Sequence, residues 1–143
     1  MYGSKNDFFK QSKDQLTKSR RLLLNVLESK NRSGKDKRQY LLAFSYFCNN
    51  PQDYDGATIV KDLVDVRQGK CYLDCDAMLH DYEYVVGKAD TIKGRWICDK
   101  RYIKNMELNG KGIRIPRLII LTIYGFITIN YKNLKEWLKR KRK

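Results

Sequence analysis

Apolar residues recur at helical intervals along most of this chain and predict five helices. We place them at residues 5–30, from Asp36 to Asn50, and at 72–86, 89–108 and 117–139. Asp36 suits the N-cap of the second helix, and Asn109 with Gly110 suits the end of the fourth. Residues 52–58 are predicted to form a turn, and short β pieces fit the stretch 56–72. The predicted fold is mainly α, a small helical domain with short β pieces.

The third and fourth predicted helices each carry a chemically active group on a largely apolar face. The two faces consist of Leu73, Ala77, His80, Asp81 and Tyr84, and of Ile92, Trp96, Asp99, Ile103 and Met106. We expect these central helices to form an antiparallel pair, because a buried Asp99 needs a partner and the single histidine, His80, occupies the matching place. A carboxylate on one ring nitrogen fixes the tautomer and leaves the other nitrogen as a general base. The alternative is a structural ion pair around a satisfied core histidine.

Acidic residues are concentrated in the middle of the chain. Asp81 follows His80 and points about 100° away around the helix, where a hard oxygen ligand suits calcium. Most of the other acidic residues there are expected to be solvated surface carboxylates: Asp53, Asp55, Asp62, Asp65, Asp74 and Asp76.

The cysteines favour reduced thiols over a metal site. Cys48, Cys71, Cys75 and Cys98 form no C-x-x-C pair, which argues against zinc. The N-terminus has no signal-peptide pattern, so we expect a cytoplasmic or virion location and no secretion by a signal peptide. The longest apolar run, Leu118 to Ile129, is shorter than the roughly 20 residues of a helical membrane span. We therefore expect no transmembrane span.

The charge of the chain indicates a polyanionic partner. Lys and Arg number 30 against 16 Asp and Glu, a formal net charge of +14, and basic ends flank a middle of −4 over residues 49–99. The tail places Leu134, Trp137 and Leu138 on one helical face. Its predicted binding surface comprises Lys132, Lys135, Trp137, Lys139, Arg140, Lys141, Arg142 and Lys143. Nucleic acid, an anionic membrane surface, acidic virion proteins and a merely solvated helix end all remain open.

Three stretches resemble a known enzyme superfamily. Residues 76–84, DAMLHDYEY, resemble the histidine–aspartate helix of the phospholipase A2 superfamily, whose pattern is H-D-x-x-Y. Residues 98–103, CDKRYI, are similar to the downstream aspartate segment of those enzymes, most of all in the parvovirus capsid version. Residues 55–59, DGATI, resemble a stretch of a phage-encoded domain of unknown function that has the same layout. The resemblance covers residues 53–126, about half of the chain.

The resemblance implies a role for each matching residue. His80 would be the general base that activates water, Asp99 would orient its ring, and Tyr84 would hydrogen-bond to Asp99. Asp81, with Asp55 and Gly56, would hold Ca²⁺, which would polarise the ester carbonyl. The implied function is calcium-dependent lipid ester hydrolysis by a viral or phage-associated basic protein.

These predictions combine into one domain over residues 1–143. It comprises a basic helical N-terminal extension at 1–50, a phospholipase-like core at 51–126 and a basic amphipathic C-terminal tail at 127–143. The competing prediction is a non-catalytic structural or accessory virion protein that binds nucleic acid through its basic surface.

Overall fold

A computed structural model of the chain describes residues 7–55, 64–111 and 115–141, and between 115 and 129 it describes only the side chains of Ile123 and Ile127. The described helices are α1 (Lys13–Ser29), α2 (Gly34–Asn49), α3 (Cys75–Val85), α4 (Ile92–Leu108) and α5 (Ile115–Lys141). Short 3-10 turns lie at Phe8–Lys10 and Pro51–Asp53, and two strands, β1 (Val66–Gln68) and β2 (Cys71–Leu73), precede α3. The predicted mainly α class with short β pieces is confirmed.

Polar side chains set where the helices begin. Ser12 caps α1 by accepting from the backbone N–H of Gln15, so the single helix predicted for 5–30 is wrong in its first turns. Ser33 caps α2 by accepting from the N–H of Asp36. The prediction that Asp36 is the N-cap is therefore wrong, because the helix already begins at Gly34 and Asp36 lies within its first turn, where its N–H is capped by Ser33.

The two strands form an antiparallel hairpin that leads directly into α3. Val66 pairs with Leu73 and Gln68 with Cys71, and Gly69 takes the positive φ of 62° that the tight turn requires. Asp74 then caps α3 by accepting from the N–H groups of Asp76 and Ala77. The hairpin occupies residues that the sequence assigned partly to the third helix, so α3 begins later than predicted.

Aromatic and aliphatic side chains of α1, α2, the hairpin and α3 share one core. The aromatic rings of Phe8, Phe9, Phe44 and Phe47 pack edge to face or tilted, and Leu23 and Leu27 of α1 lie fully buried among them. Val66, Leu73, Cys75 and Met78 complete the same cluster. The segment predicted as an N-terminal extension thus supplies one side of the core on which α3 rests.

Helices α3 and α4 pack against each other in opposite directions. Ala77 belongs to a second apolar cluster with Tyr102 and Met106 of α4, whereas Tyr84, farther along α3, lies under the guanidinium of Arg95, earlier in α4. This inverse order of contacts confirms the predicted antiparallel central pair. The apolar stripe predicted for α4 is only half right, because Ile92 and Trp96 are exposed while Ile103 and Met106 are buried.

A cluster of charged side chains is buried at the N-terminal end of α3. The Nζ of Lys111 is 2.6 Å from Asp65, 2.9 Å from Asp74 and 2.8 Å from Asp76. Asp76 also accepts from the hydroxyl of Tyr40 at 2.6 Å and from Nδ2 of Asn109 at 2.8 Å. The expectation that these three aspartates are solvated is wrong. Asp74 and Asp76 are buried, the side chain of Asp65 is 11% exposed, and the ammonium of Lys111 together with the neighbouring donors compensates this burial.

A buried arginine extends this cluster toward α1. The guanidinium of Arg32 donates to the side-chain oxygens of Asn105 and Asn109, at 2.8 and 2.7 Å, and to Tyr40. It therefore joins the α1–α2 connection to the end of α4. Within the described residues, no helix is both long enough and apolar enough to cross a membrane.

Candidate active site

A histidine and an aspartate meet where α3 crosses α4. The Nε2 of His80 lies 2.7 Å from Oδ1 of Asp99, and the Asp99 side chain is only 1% exposed, whereas that of His80 is 15% exposed. An ionised carboxylate only accepts hydrogen bonds, so in a neutral ring this contact favours the tautomer with the proton on Nε2 and the lone pair on Nδ1. The pair thus has the tautomer and the partial exposure that a general base requires.

Two tyrosines hold this pair in place. The hydroxyl of Tyr84 donates to the same Oδ1 of Asp99 at 2.7 Å. The ring of Tyr102 stacks on the imidazole of His80, with the ring centroids 4.6 Å apart and an interplanar angle of 25°. Burial and the hydrogen bond to Asp99 raise the pKa of Tyr84, so its hydroxyl stays a donor. Oδ2 of Asp99 has no hydrogen-bond partner among the described residues.

Helical spacing brings these four side chains together. His80 and Tyr84 are four residues apart on α3, and Asp99 and Tyr102 are three apart on α4, so each pair shares one face. The antiparallel packing then brings the two faces into contact. Both helices begin at well-formed caps, Asp74 for α3 and Thr91 for α4, which fix where each helix starts.

Removing the Tyr84 hydroxyl tests whether Asp99 depends on its donors. Tyr84→Phe leaves a buried carboxylate with one hydrogen bond fewer, so we expect the free energy of unfolding to fall by about 1.5–3 kcal/mol. Tyr131→Phe is the matched control, because that tyrosine is exposed and its loss should cost under about 0.5 kcal/mol. Urea unfolding of both variants measures the difference, and equal stabilities would contradict the role assigned to Tyr84.

Comparison of the chain with protein-family models, curated proteins and solved structures finds no match. The functional interpretation of His80, Asp99 and Tyr84 is therefore carried by their own geometry and by the motif order in the sequence.

The predicted calcium ligands are only partly described. The backbone N–H of Asp55 donates to Oδ2 of Asp81 at 2.7 Å, which ties the turn after Pro51–Asp53 to α3. Gly56 and the rest of the predicted DGATI turn lie outside the described residues, apart from Asp55. Calcium takes six to eight oxygen ligands. The described contact gives one oxygen of Asp81 an N–H donor, and Asp55 and Asp81 by themselves supply too few oxygens, so the described residues alone do not fit a calcium site.

A different group of ligand atoms lies in the buried charge cluster. Asp65, Cys75 and Asp76 offer atoms within 4.8 Å of one another, the only such group found among the residues that the structure describes. The ammonium of Lys111 contacts both aspartates and supplies the positive charge there. Burial raises the pKa of the Cys75 thiol well above its ordinary value, so it stays protonated. This cluster is a lysine-centred ion network.

The predicted cationic surface lies on the outer part of α5. Every residue of that surface that the structure describes is exposed: Lys132, Lys135, Trp137, Lys139, Arg140 and Lys141. Arg142 and Lys143 lie outside the described residues. The surface and the His80–Asp99 pair belong to different elements, so each function can be tested separately.

Sequence reasoning missed two residues beside the pair. Tyr102 stacks on His80, and the guanidinium of Arg95 lies 5.0 Å from the centre of the Tyr84 ring. Both share the face of α4 that carries Asp99, at three and four residues from it, and this spacing is the signal that could have found them.

Proposed function

We propose that the protein is an ester hydrolase of the phospholipase A2 type, with His80 as the general base. The hydrogen bond between His80 Nε2 and Asp99 Oδ1 carries the proposal. It joins two motifs that lie in the same order in that superfamily, H-D-x-x-Y and the downstream aspartate segment. The viral or phage association and the lipid ester substrate rest on the same resemblance.

In this proposal Nδ1 of His80 removes a proton from a water molecule as that water attacks the ester carbonyl. Asp99 stabilises the imidazolium that forms, and it holds the ring in the tautomer that leaves Nδ1 free of a proton before the attack. Tyr84 and the stacked Tyr102 restrict rotation of the Asp99 carboxylate and of the imidazole. The imidazolium then returns its proton to the leaving alkoxide, which completes hydrolysis to an acid and an alcohol.

Release of fatty acid from phospholipid vesicles tests the proposal. The full chain is incubated with vesicles, with calcium in one series and with a calcium chelator in the other. We expect release above the protein-free background, and the difference between the series reports whether calcium takes part. Absence of release in both series, from vesicles and from a soluble short-chain ester, would refute the hydrolase proposal.

The competing function, nucleic-acid binding by a non-catalytic virion protein, uses the exposed cations of α5 and makes no use of His80. It predicts binding of duplex DNA that weakens steeply with salt and is unchanged in a His80→Gln variant. It also predicts that neither lipid nor soluble esters are hydrolysed. DNA binding and ester hydrolysis, measured on the wild type and the His80→Gln variant, therefore distinguish the two functions.

A further inference from the structure

Helix α5 carries an apolar stripe that the rest of the described protein leaves uncovered. Exposed apolar side chains recur along it at intervals of three and four residues: Ile123, Ile127, Tyr131, Leu134 and Leu138. At 100° per residue these five positions fall within an arc of about 80°, and Trp137 widens it to about 120°. Such an arc is the apolar face of an amphipathic helix.

Cations border this stripe. In the same projection Lys135, Lys139 and Lys132 lie along one side of the arc and Arg140 lies on the other, whereas Lys141, at the end of the helix, falls within it. Glu136 is the single acidic residue from 131 to the end of the chain. The ammonium of Lys141, an exposed residue, lies 5.6 Å from the centre of the Trp137 ring, so these two residues form a cation–π contact near the end of the helix.

The outer part of α5, residues 130–141, is not covered by the other residues that the structure describes. Every residue from 130 to 141 is exposed, on all sides of the helix. A helical segment as short as residues 130–141 is marginal in water when nothing packs against it, because most helices owe their stability to packing of an apolar face. A partner that covers the stripe and neutralises the cations would therefore stabilise α5.

We infer that α5 binds an anionic lipid surface, with its apolar stripe among the acyl chains and its cations at the phosphates. A bilayer meets both requirements, because it supplies an apolar phase bordered by negative charge. Nucleic acid would neutralise the cations and leave the stripe in water. A second copy of α5 would cover the stripe but would bring like charges together. The inference is independent of the proposed hydrolase activity.

The test uses one matched pair of substitutions on the same turn of α5. Leu134→Asp places a carboxylate in the stripe, whereas Asn133→Asp adds the same charge outside it, at a position that is also exposed. The full chain and both variants are sedimented with phosphatidylcholine vesicles that contain or lack phosphatidylserine. We expect binding only with phosphatidylserine, and Leu134→Asp should weaken it at least about tenfold more than Asn133→Asp.

Other outcomes would overturn the inference. Equal weakening by the two substitutions, together with tighter binding to duplex DNA than to vesicles, would identify nucleic acid as the partner. A dimer that Leu134→Asp dissociates, without vesicle binding, would identify a second copy. Vesicle binding by the unsubstituted chain without ester hydrolysis would refute the hydrolase proposal and leave the lipid-binding helix standing.

Discussion

Replacing His80 with glutamine is expected to lower the rate of ester hydrolysis by at least about 100-fold and up to about 10,000-fold, the range that a general base contributes. Glutamine can still donate a hydrogen bond from its amide to Oδ1 of Asp99, in place of the Nε2 contact. It offers no basic nitrogen in the position of Nδ1. The variant thus removes the proton acceptor while it keeps a partner for the buried carboxylate.

Two controls separate chemistry from folding. The free energy of unfolding of His80→Gln should stay within about 1 kcal/mol of the wild type, because Asp99 remains hydrogen-bonded. Asp99→Asn should lower kcat as well, since an amide can no longer impose the tautomer with the proton on Nε2. Full activity in His80→Gln would show that His80 is not the base, whatever the source of the hydrolysis.

Replacing Lys111 with methionine is expected to lower the free energy of unfolding at neutral pH by about 3–5 kcal/mol. The ammonium contacts three carboxylates, and Asp74 and Asp76 are each only 1% exposed. Burial alone would lower the pKa of Lys111, but the acidic groups around it outweigh that effect and raise it. Methionine keeps most of the side-chain volume, so the loss of stability would measure the cost of leaving the carboxylates without the ammonium.

Lys104→Met is the matched control for this prediction. Lys104 is an exposed residue of α4, and the same substitution there should change the stability by less than about 0.5 kcal/mol. Burial already raises the pKa of Asp76, and loss of the ammonium would raise it further. The folded Lys111→Met variant would then bind a proton more tightly than the unfolded chain, so its deficit should shrink as the pH falls. Urea unfolding at neutral and mildly acidic pH measures both effects, and a deficit equal to that of Lys104→Met would refute the role of Lys111.

Helical periodicity made the His80–Asp99 pair predictable. A carboxylate among apolar positions requires a partner, and the chain has a single histidine at the corresponding place on the neighbouring helix. Both arguments use spacing within one helix, which the sequence displays directly. The start of α2 was harder to predict, because Ser33 and Asp36 are both good N-caps and their difference lies in backbone geometry.

The lysine-centred ion network could not be predicted from the same kind of reasoning. Asp65, Asp74 and Asp76 resemble surface carboxylates in sequence, and Lys111 lies far along the chain from all three. Only the antiparallel packing of α3 and α4 brings the end of α4, and with it the ammonium of Lys111, to the carboxylates at the start of α3. The exposure of Ile92 has a similar cause: α3 ends at Val85, just beyond the contact of Tyr84 with Arg95, so the first turn of α4 extends past its partner.

The sequence by itself determined the number and approximate positions of the helices, the basic ends, the amphipathic pattern of the tail and the residues able to form a catalytic pair. These are local properties, set by spacing and composition. The tertiary structure decided which charges are buried and which apolar faces stay exposed, because burial depends on segments that are distant in the chain. The apolar side of α5 shows the difference: its pattern is visible in the sequence, whereas its exposure beside the other described elements emerges only when the helices are packed.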